Sequence, residues 1–568
     1  MGFFMETNFF YCRKKAFVMC TIVLLCLVGL MGRLVYLMIF QGEKYSKKAS
    51  DLQYRERQLR GPRGRILDRN GLPLADNQTV CTVSVIHNQI EDSQRVAKLL
   101  ARELDIDEDK ILKKINKVTS IELIKSNVPI ETGDRIRKEN LKGIKVDVDY
   151  SRYYPFGELA SKVIGFTGSD NQGIIGLEAI YDKYLKGQNG TIYSITDSRG
   201  VEVKNYPEKI QKTERGNDIQ LSLDYNIQSY CTQAAELTYV KKQADGVSII
   251  AMNPQNGEIL AMVDYPEFDL TKPFELTANY TDVNQMWRNS CINDTYEPGS
   301  IFKIVTTAIA LEENLIGLED RFYCPGYIVV EDRRIRCHKT QGHGSQTFVE
   351  AIENSCNPVF IDIGQRIGID RYCDYFRKFG LQKKTGIDLP GESKTIMHKK
   401  ENMGQVELAT VAFGQSFQIT PIQLITTVSS LINGGYRVTP HLADKVINSS
   451  GKVCKTFEHP MEQQVCQKKT SETLRFLLEK VVSEGGGSKA YIEGFEIGGK
   501  TATSQTLPRS DNKYISAFLG FAPADNPRII MLVKINNPKG QYYGGTIAAP
   551  VAKMIFENIL PYVDKLDK

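Results

Sequence analysis

Apolar positions recur along this chain in three rhythms, and each rhythm predicts a different kind of element. The first is unbroken. Residues 16–32, "AFVMCTIVLLCLVGLMG", carry no charge, and the apolar run resumes over residues 34–40 after Arg33. The 25 positions from 16 to 40 exceed the roughly 20 that a helix needs to cross a bilayer. Arg13, Lys14 and Lys15 precede the run, which predicts a cytoplasmic N-terminus. A cleaved signal peptide would have a shorter apolar stretch and a small-x-small cleavage pattern, and no such pattern follows before "QGEKYSKKAS". The expectation is a cytoplasmic tail over 1–15, an uncleaved anchor over 16–40, and everything after about residue 45 outside the cytoplasm.

The second rhythm is short and mixed. "TVCTVSVI", residues 79–86, reads as a strand, and residues 92–145 alternate charged helical stretches with further short strands. A glycine-rich loop over 165–187, "GFTGSDNQGIIGLEAIYDKYLKG", leads into a helix from about Ile175. "GTIYSITDSRGVEVK" reads as a hairpin turning at 197–200. Residues 45–220 therefore predict a strand-rich module with no evident chemistry of its own.

The third rhythm pairs apolar strands with long helices. Asp224 caps a helix that follows it, with Gln228 close to the capping-box position. "GVSIIAMNPQNGEILAMVDYP" is two apolar strands around Pro254-Gln255-Asn256-Gly257, a strong hairpin signal. "YISAFLGFAPADNPRIIMLVKINNP" repeats the pattern around 523–527, and a last helix, "VAKMIFENIL", follows Pro550. Strand pairs at both ends with helices between predict one antiparallel sheet flanked by helices over 221–568, an α+β arrangement.

Composition narrows this picture slightly. Of 568 residues, 42% are apolar and 24% charged, so packed cores are expected and disorder is not. A formal net charge of +5 is small for the length, and no basic stripe carries interleaved aromatics, which argues against a nucleic-acid partner. Twelve cysteines are present. Cys12, Cys20 and Cys26 belong to the anchor region, and the other nine are unevenly spaced, an odd number that does not read as a disulfide framework.

Candidate chemistry begins at "TYEPGSIFKIV", residues 295–305. "EPG" is a turn signal, Ser300 reads as the first helical residue, and Ile301, Ile304 and Val305 give the helix a buried face. Residues three apart share a side of a helix, so Ser300 and Lys303 point into one space. A lysine stripped of water loses proton affinity, and a serine beside a base is an activated nucleophile. An N-cap serine beside a surface lysine would give the same short pattern. Two further motifs follow in order: Ser355-Cys356-Asn357 in "ENSCNPVF", and Lys500-Thr501-Ala502 in "IGGKTATSQT", in a strand-like setting before the C-terminal hairpin. A nucleophile at a helix start, a polar Ser/Asn pair and a lysine strand, in that order, are the three elements of β-lactamases and penicillin-binding proteins.

On these motifs the chain resembles the class B penicillin-binding proteins, the bitopic D,D-transpeptidases that cross-link peptidoglycan, and most closely their division and sporulation branch. "RGPRGRILDRNGLPLA" resembles the opening of their pedestal module, "RYYPFGELASKVIGFTG" and "GIIGLEAIYDKYLKG" its later signatures, and "GQVELATVAFGQSFQITPIQL" the stretch that supports their active site. The resemblance implies that Ser300 attacks the penultimate D-Ala carbonyl of a stem peptide and that Lys303 takes the serine proton. It implies that Ser355 and Lys500 relay protons to the leaving amine and that Asn357 holds the substrate amide. Thr501 and Thr503 would grip the substrate carboxylate and backbone, and the Ser300 and Thr503 N–H groups would form the oxyanion hole. No metal is needed for this chemistry, and β-lactams are implied as inhibitors. With no glycosyltransferase module in view, a SEDS-family glycosyltransferase is the implied partner. A β-lactamase or D,D-carboxypeptidase on the same scaffold, or a membrane-anchored sensor or scaffold, would share much of this pattern.

Two departures from the family stand out. Ala502 occupies a position that usually holds glycine, on the strand nearest the substrate, where its methyl could narrow the cleft. "FYCPGYIVVEDRRIRCHKTQGHG" supplies Cys324, Cys337, His338 and His343, and Cys291 lies nine residues before Ser300. Four such ligands suit tetrahedral zinc. The expectation is a structural Zn²⁺ on Cys291, Cys324, Cys337 and His338, with His343 as the substitute, against a Cys324–Cys337 disulfide with a packing histidine.

Overall fold

The computed structural model describes residues 3–117, 119, 121–195, 209–461 and 463–566. The chain divides into two compact units. The hairpin turn expected at 197–200 lies outside the described residues.

The first unit comprises Met1–Gly61, Thr79–Tyr150 and Gln188–Glu214. It begins with the helix Phe3–Val35, continued by a π-helical turn over Tyr36–Phe40. Within this segment, Arg13–Phe40 is long and apolar enough to cross a membrane, and its side chains are unburied. The remainder of the unit folds around a small core. Asp92 caps the helix Ser93–Leu104 by accepting from Arg95 N–H, and Val96, Leu100 and Leu104 recur at four-residue spacing on its inner face. They pack with Ile111 and Ile115, and with Cys81 and Val128, which stand opposite each other on paired strands.

The second unit comprises Pro62–Gln78, Ser151–Gly187 and Arg215–Lys568. Its main elements, in order, are α1 (Tyr225–Lys242), β1 (Gly246–Met252), β2 (Ile259–Tyr265), α2 (Lys303–Glu312), α3 (Asn357–Ile367), α4 (Pro421–Ile432), α5 (Lys468–Ser483), β3 (Gly498–Gln505), β4 (Tyr514–Ala522), β5 (Ile529–Asn536) and α6 (Gly544–Leu566). The five strands form one antiparallel sheet in the order β2-β1-β5-β4-β3. The first hairpin contributes one edge strand and its neighbour, and the second pairs with it through the central β5, so strands from both ends of the domain meet.

Both faces of the sheet are covered, which explains why the strands other than β3 read as largely apolar runs. Along β1, Val247, Ile249 and Ala251 pack with Phe518, Ile555 and Phe556 beneath α1 and α6. Ile250 and Met252 face the opposite side, packing with Ile301, Phe302 and the helical layer that contains α2 and α4. Asp224 caps α1 as expected, accepting from Asn226 and Ile227 N–H. Gln228 serves elsewhere: its amide accepts from Met262 N–H and donates to Met262 C=O, tying α1 to the edge strand. The last helix begins at Gly544, earlier than the sequence suggests, and takes Pro550 into its interior. A proline there costs one backbone hydrogen bond, and Ile547, Val551, Ile555 and Ile559, buried against the sheet, hold the helix through it.

Candidate active site

Ser300 lies in a 3₁₀ turn, Gly299–Phe302, that runs directly into α2. The expected α-helical start is therefore tighter by one turn, but the three-residue offset still places Lys303 below the serine. The turn is held from behind. Gly299 N–H donates to Gly414 C=O at 2.9 Å, and Gly414 has a φ of 89°, where a Cβ would fall 2.0 Å from the Gly299 oxygen. The stretch 404–424 thus supports the Ser300 turn through a backbone approach that only glycine permits.

Lys303 is 0% exposed. Its Nζ donates to Ser355 C=O at 2.7 Å, to Asn357 Oδ1 at 2.8 Å and to Ser355 Oγ at 3.2 Å. Three partners use all three ammonium donors, and among the described residues no hydrogen bond joins Nζ to Ser300 Oγ. No carboxylate lies among these partners, so burial dominates and lowers the amine's pKa to about 7. Ser355 is held in the left-handed region, φ 50°, between a helix ending at Glu353 and α3, which begins at Asn357 with Pro358 in its first turn. This conformation, uncommon outside glycine, presents the serine's carbonyl and hydroxyl to the same amine.

The third wall is β3. Burial alternates along it: Lys500, Ala502 and Ser504 are buried, while Thr501 and Thr503 are partly open to the cleft. Lys500 is 1% exposed, and burial, followed by the charge of Lys303, pushes its amine well below the ordinary value. Thr503 Oγ1 accepts from Gly544 N–H at 2.9 Å, at the start of α6. The methyl of Ala502 packs toward the Ser300 turn, where a Cβ built on Gly299 would lie 3.5 Å from it. Its bulk bears on the turn behind Ser300 and is 4% exposed, so it narrows the open cleft little. Ser300, Ser355, Asn357, Thr501, Ala502 and Thr503 line one cavity of about 780 Å³, with the two lysines buried beneath it. Gln415, in the quoted 404–424 stretch, also lines this cavity, as do Arg509, Tyr542 and Tyr543, which sit in polar loop sequence with no motif to mark them.

Beside the Ser355–Asn357 segment, Cys324, Cys337, His343 and Cys356 bring their ligand atoms within 4.8 Å of one another. This corrects the expected metal set in two places. Cys291 is absent from the cluster because its short helix, Ser290–Asn293, turns the thiol inward to donate to Val263 C=O at 3.3 Å. Cys356 takes its place. His338 is exposed at the cleft with Nδ1 3.8 Å from Cys337 Sγ, whereas the half-buried His343 joins the cluster. Cys356 was overlooked because it lies inside the Ser-x-Asn motif, where only its neighbours had a role. The two adjacent thiols share their proton unequally: the Cys356 thiol and then the His338 ring draw Cys337 down, while Cys356 itself is driven up. The cysteines are free thiols among the described residues.

Comparison with known proteins places this architecture. The penicillin-binding protein dimerisation domain matches residues 58–221, and the penicillin binding protein transpeptidase domain matches residues 247–557. Stage V sporulation protein D of Bacillus subtilis is 40% identical over 93% of this chain and 82% of its own length. Peptidoglycan D,D-transpeptidase FtsI of Escherichia coli is 28% identical over 95% of this chain and 90% of its own length. The fold is also that of penicillin binding protein 2X from Streptococcus thermophilus, with a TM-score of 0.76 at 20% identity over 90% of this chain and 81% of that one. The chain belongs to the class B penicillin-binding proteins.

Proposed function

We propose that the protein is a serine-type peptidoglycan D,D-transpeptidase. The observation that carries this reading is the amine of Lys303, buried, free of any carboxylate and shifted to about 7, one turn from Ser300. In its neutral form Lys303 takes the Ser300 proton as Oγ bonds to the carbonyl carbon of the penultimate D-Ala of a stem peptide. The oxyanion formed there is held by the Ser300 and Thr503 N–H groups, and a donor of this kind is worth about 10²–10³ in kcat. Ser355 and Lys500 pass a proton to the departing D-Ala amine, Asn357 holds the substrate amide, and Thr501 and Thr503 hold its carboxylate and backbone. The amine of a second stem peptide then takes the acyl group and restores the serine. A β-lactam acylates the same oxygen as its C–N bond opens, but the amine so released stays tethered to the acyl group and no leaving group departs.

The wider arrangement follows from the same reading. Residues 1–15 are a cytoplasmic tail, 16–40 a single membrane span, 45–220 the pedestal and 221–568 the transpeptidase domain outside the cytoplasm. A SEDS-family glycosyltransferase supplies the glycan strands. The Cys324, Cys337, His343 and Cys356 cluster is suited to a structural Zn²⁺, because three thiols and one imidazole are one of its usual tetrahedral donor sets. Such an ion would fix the backbone on both sides of Cys356 and is not required for the acyl transfer.

Mass spectrometry after incubation with benzylpenicillin tests the reading. The expected result is one adduct on Ser300 that persists for many minutes. Rapid turnover would make the protein a hydrolase, and no adduct would remove the mechanism. Elemental analysis of protein purified without added metal tests the cluster: about one zinc per chain is expected, with new reactive thiols on chelation.

A further inference from the structure

The strand that carries Lys500 needs more than its sheet partners to hold it at a fixed distance from Ser300. Its near edge lies close to the Ser300 turn: a Cβ built on Gly299 would lie 3.5 Å from Ala502 Cβ, 3.6 Å from Ser504 Cβ and 3.7 Å from the Thr503 oxygen. At its far end the chain turns through the β3–β4 hairpin, and Arg509 reaches back across the end of the cleft. Its Nη2 donates to both oxygens of Glu297, at 3.1 and 3.3 Å. Glu297 stands three residues before Ser300, its side chain is 5% exposed, and it also accepts from Ser416 N–H at 2.9 Å.

Each partner is fastened in turn to one wall. Tyr296 and Ile419 exchange two backbone hydrogen bonds of 3.0 Å, and Thr295 Oγ1 donates to Gln418 Oε1 at 3.0 Å, so Glu297 is rigid with the nucleophile turn. Gln505 Nε2 donates to Arg509 C=O at 2.7 Å, and Thr506 N–H to Lys513 C=O at 2.9 Å, so Arg509 is rigid with β3. Between the two walls the guanidinium is the charged link. The Arg509 side chain is 43% exposed and Glu297 keeps its Ser416 N–H bond without it, so the link constrains the two walls more than it stabilises the fold.

We propose that Arg509 is a positioning residue for the transpeptidase reaction: its ion pair with Glu297 is a latch that fixes β3 against the nucleophile turn. The latch sets the separation of the Ser300 and Thr503 N–H groups on which the oxyanion depends. Small displacements of such groups carry large rate effects. This inference rests on the serine acyl-transfer reading of the cleft.

Single-turnover acylation of the full chain by a fluorescent penicillin separates the binding constant from the acylation rate constant. Arg509→Ala is expected to lower the acylation rate constant about tenfold, leaving the binding constant and the thermal midpoint close to those of the parent. Arg509→Lys, which keeps the charge but not the fork, should recover part of the loss. Glu297→Gln should show a comparable loss, and the double variant Glu297→Gln, Arg509→Ala should be no slower than either single one, because the two groups act as one unit. Parent-like acylation by Arg509→Ala would overturn the latch, as would additive losses in the double variant or a loss that tracks the thermal midpoint. Failure of the parent protein to acylate at Ser300 would overturn the underlying reading instead, so the two failures are distinct.

Discussion

Two buried lysines in the same unit have opposite chemistry. Lys303 is 0% exposed and Lys162 is 6% exposed, and burial weakens the charge of each. Lys162 donates to Asp264 Oδ2 and to Tyr280 OH, both at 3.0 Å. There the loss of water is outweighed by the carboxylate and the phenol, and the amine's pKa rises above its ordinary value. Asp264 also accepts from Ser290 N–H and from the Ser290 and Ser248 hydroxyls, so the pair is hydrogen-bonded on all sides. Lys303 has only neutral acceptors, and burial prevails. Burial does not by itself produce a base; burial without a carboxylate does. The first site holds the fold together, and the second holds a proton that can leave.

The largest test of this contrast is Ser300→Ala, expected to abolish the penicillin adduct seen by mass spectrometry while the thermal midpoint stays near the parent value. Next is Lys303→Ala, expected to slow acylation by about 10²–10⁴, the usual contribution of a positioned general base. In the parent, acylation should rise with pH through about 7, because below that value the Lys303 amine is protonated and cannot accept the serine proton. A pH-independent rate between 5 and 9 in stopped-flow fluorescence would contradict the assignment.

Asp264→Asn should act in the opposite sense. Breaking a buried pair leaves Lys162 charged without its partner, at a cost of about 3–5 kcal/mol, read as a lower thermal midpoint. Acylation by the protein that remains folded should stay within about twofold of the parent. The smallest expected effect is that of Ala502→Gly. Removing the methyl behind the nucleophile turn should cost about 0.5–1 kcal/mol of stability, as glycine does within a strand, and change acylation less than about threefold.

Much of this molecule was legible in the chain. The apolar run over 16–40, the two hairpins and the order of the three short motifs pointed to the long apolar helix, the antiparallel sheet and the Ser300 region, because each depends on local periodicity or on residues a few positions apart. The helix start at Gly544 was not legible, since proline ordinarily marks a helix beginning and here packing overrode it. Nor was the metal-type cluster. Cysteine and histidine spacing drew attention to the right loop, but a side chain's direction is set by the turn it occupies, and Cys291 points to Val263 while Cys356 points to Cys337.

What the sequence determined by itself is the inventory: a serine three residues before a lysine, a Ser/Asn pair, a lysine strand and enough apolar surface to bury them. Only the tertiary structure decided which lysine lost its water without gaining a carboxylate, and which arginine closed the end of the cleft. Those outcomes depend on groups 52 to 212 residues away in sequence, and an amine's proton affinity is a property of its surroundings in space.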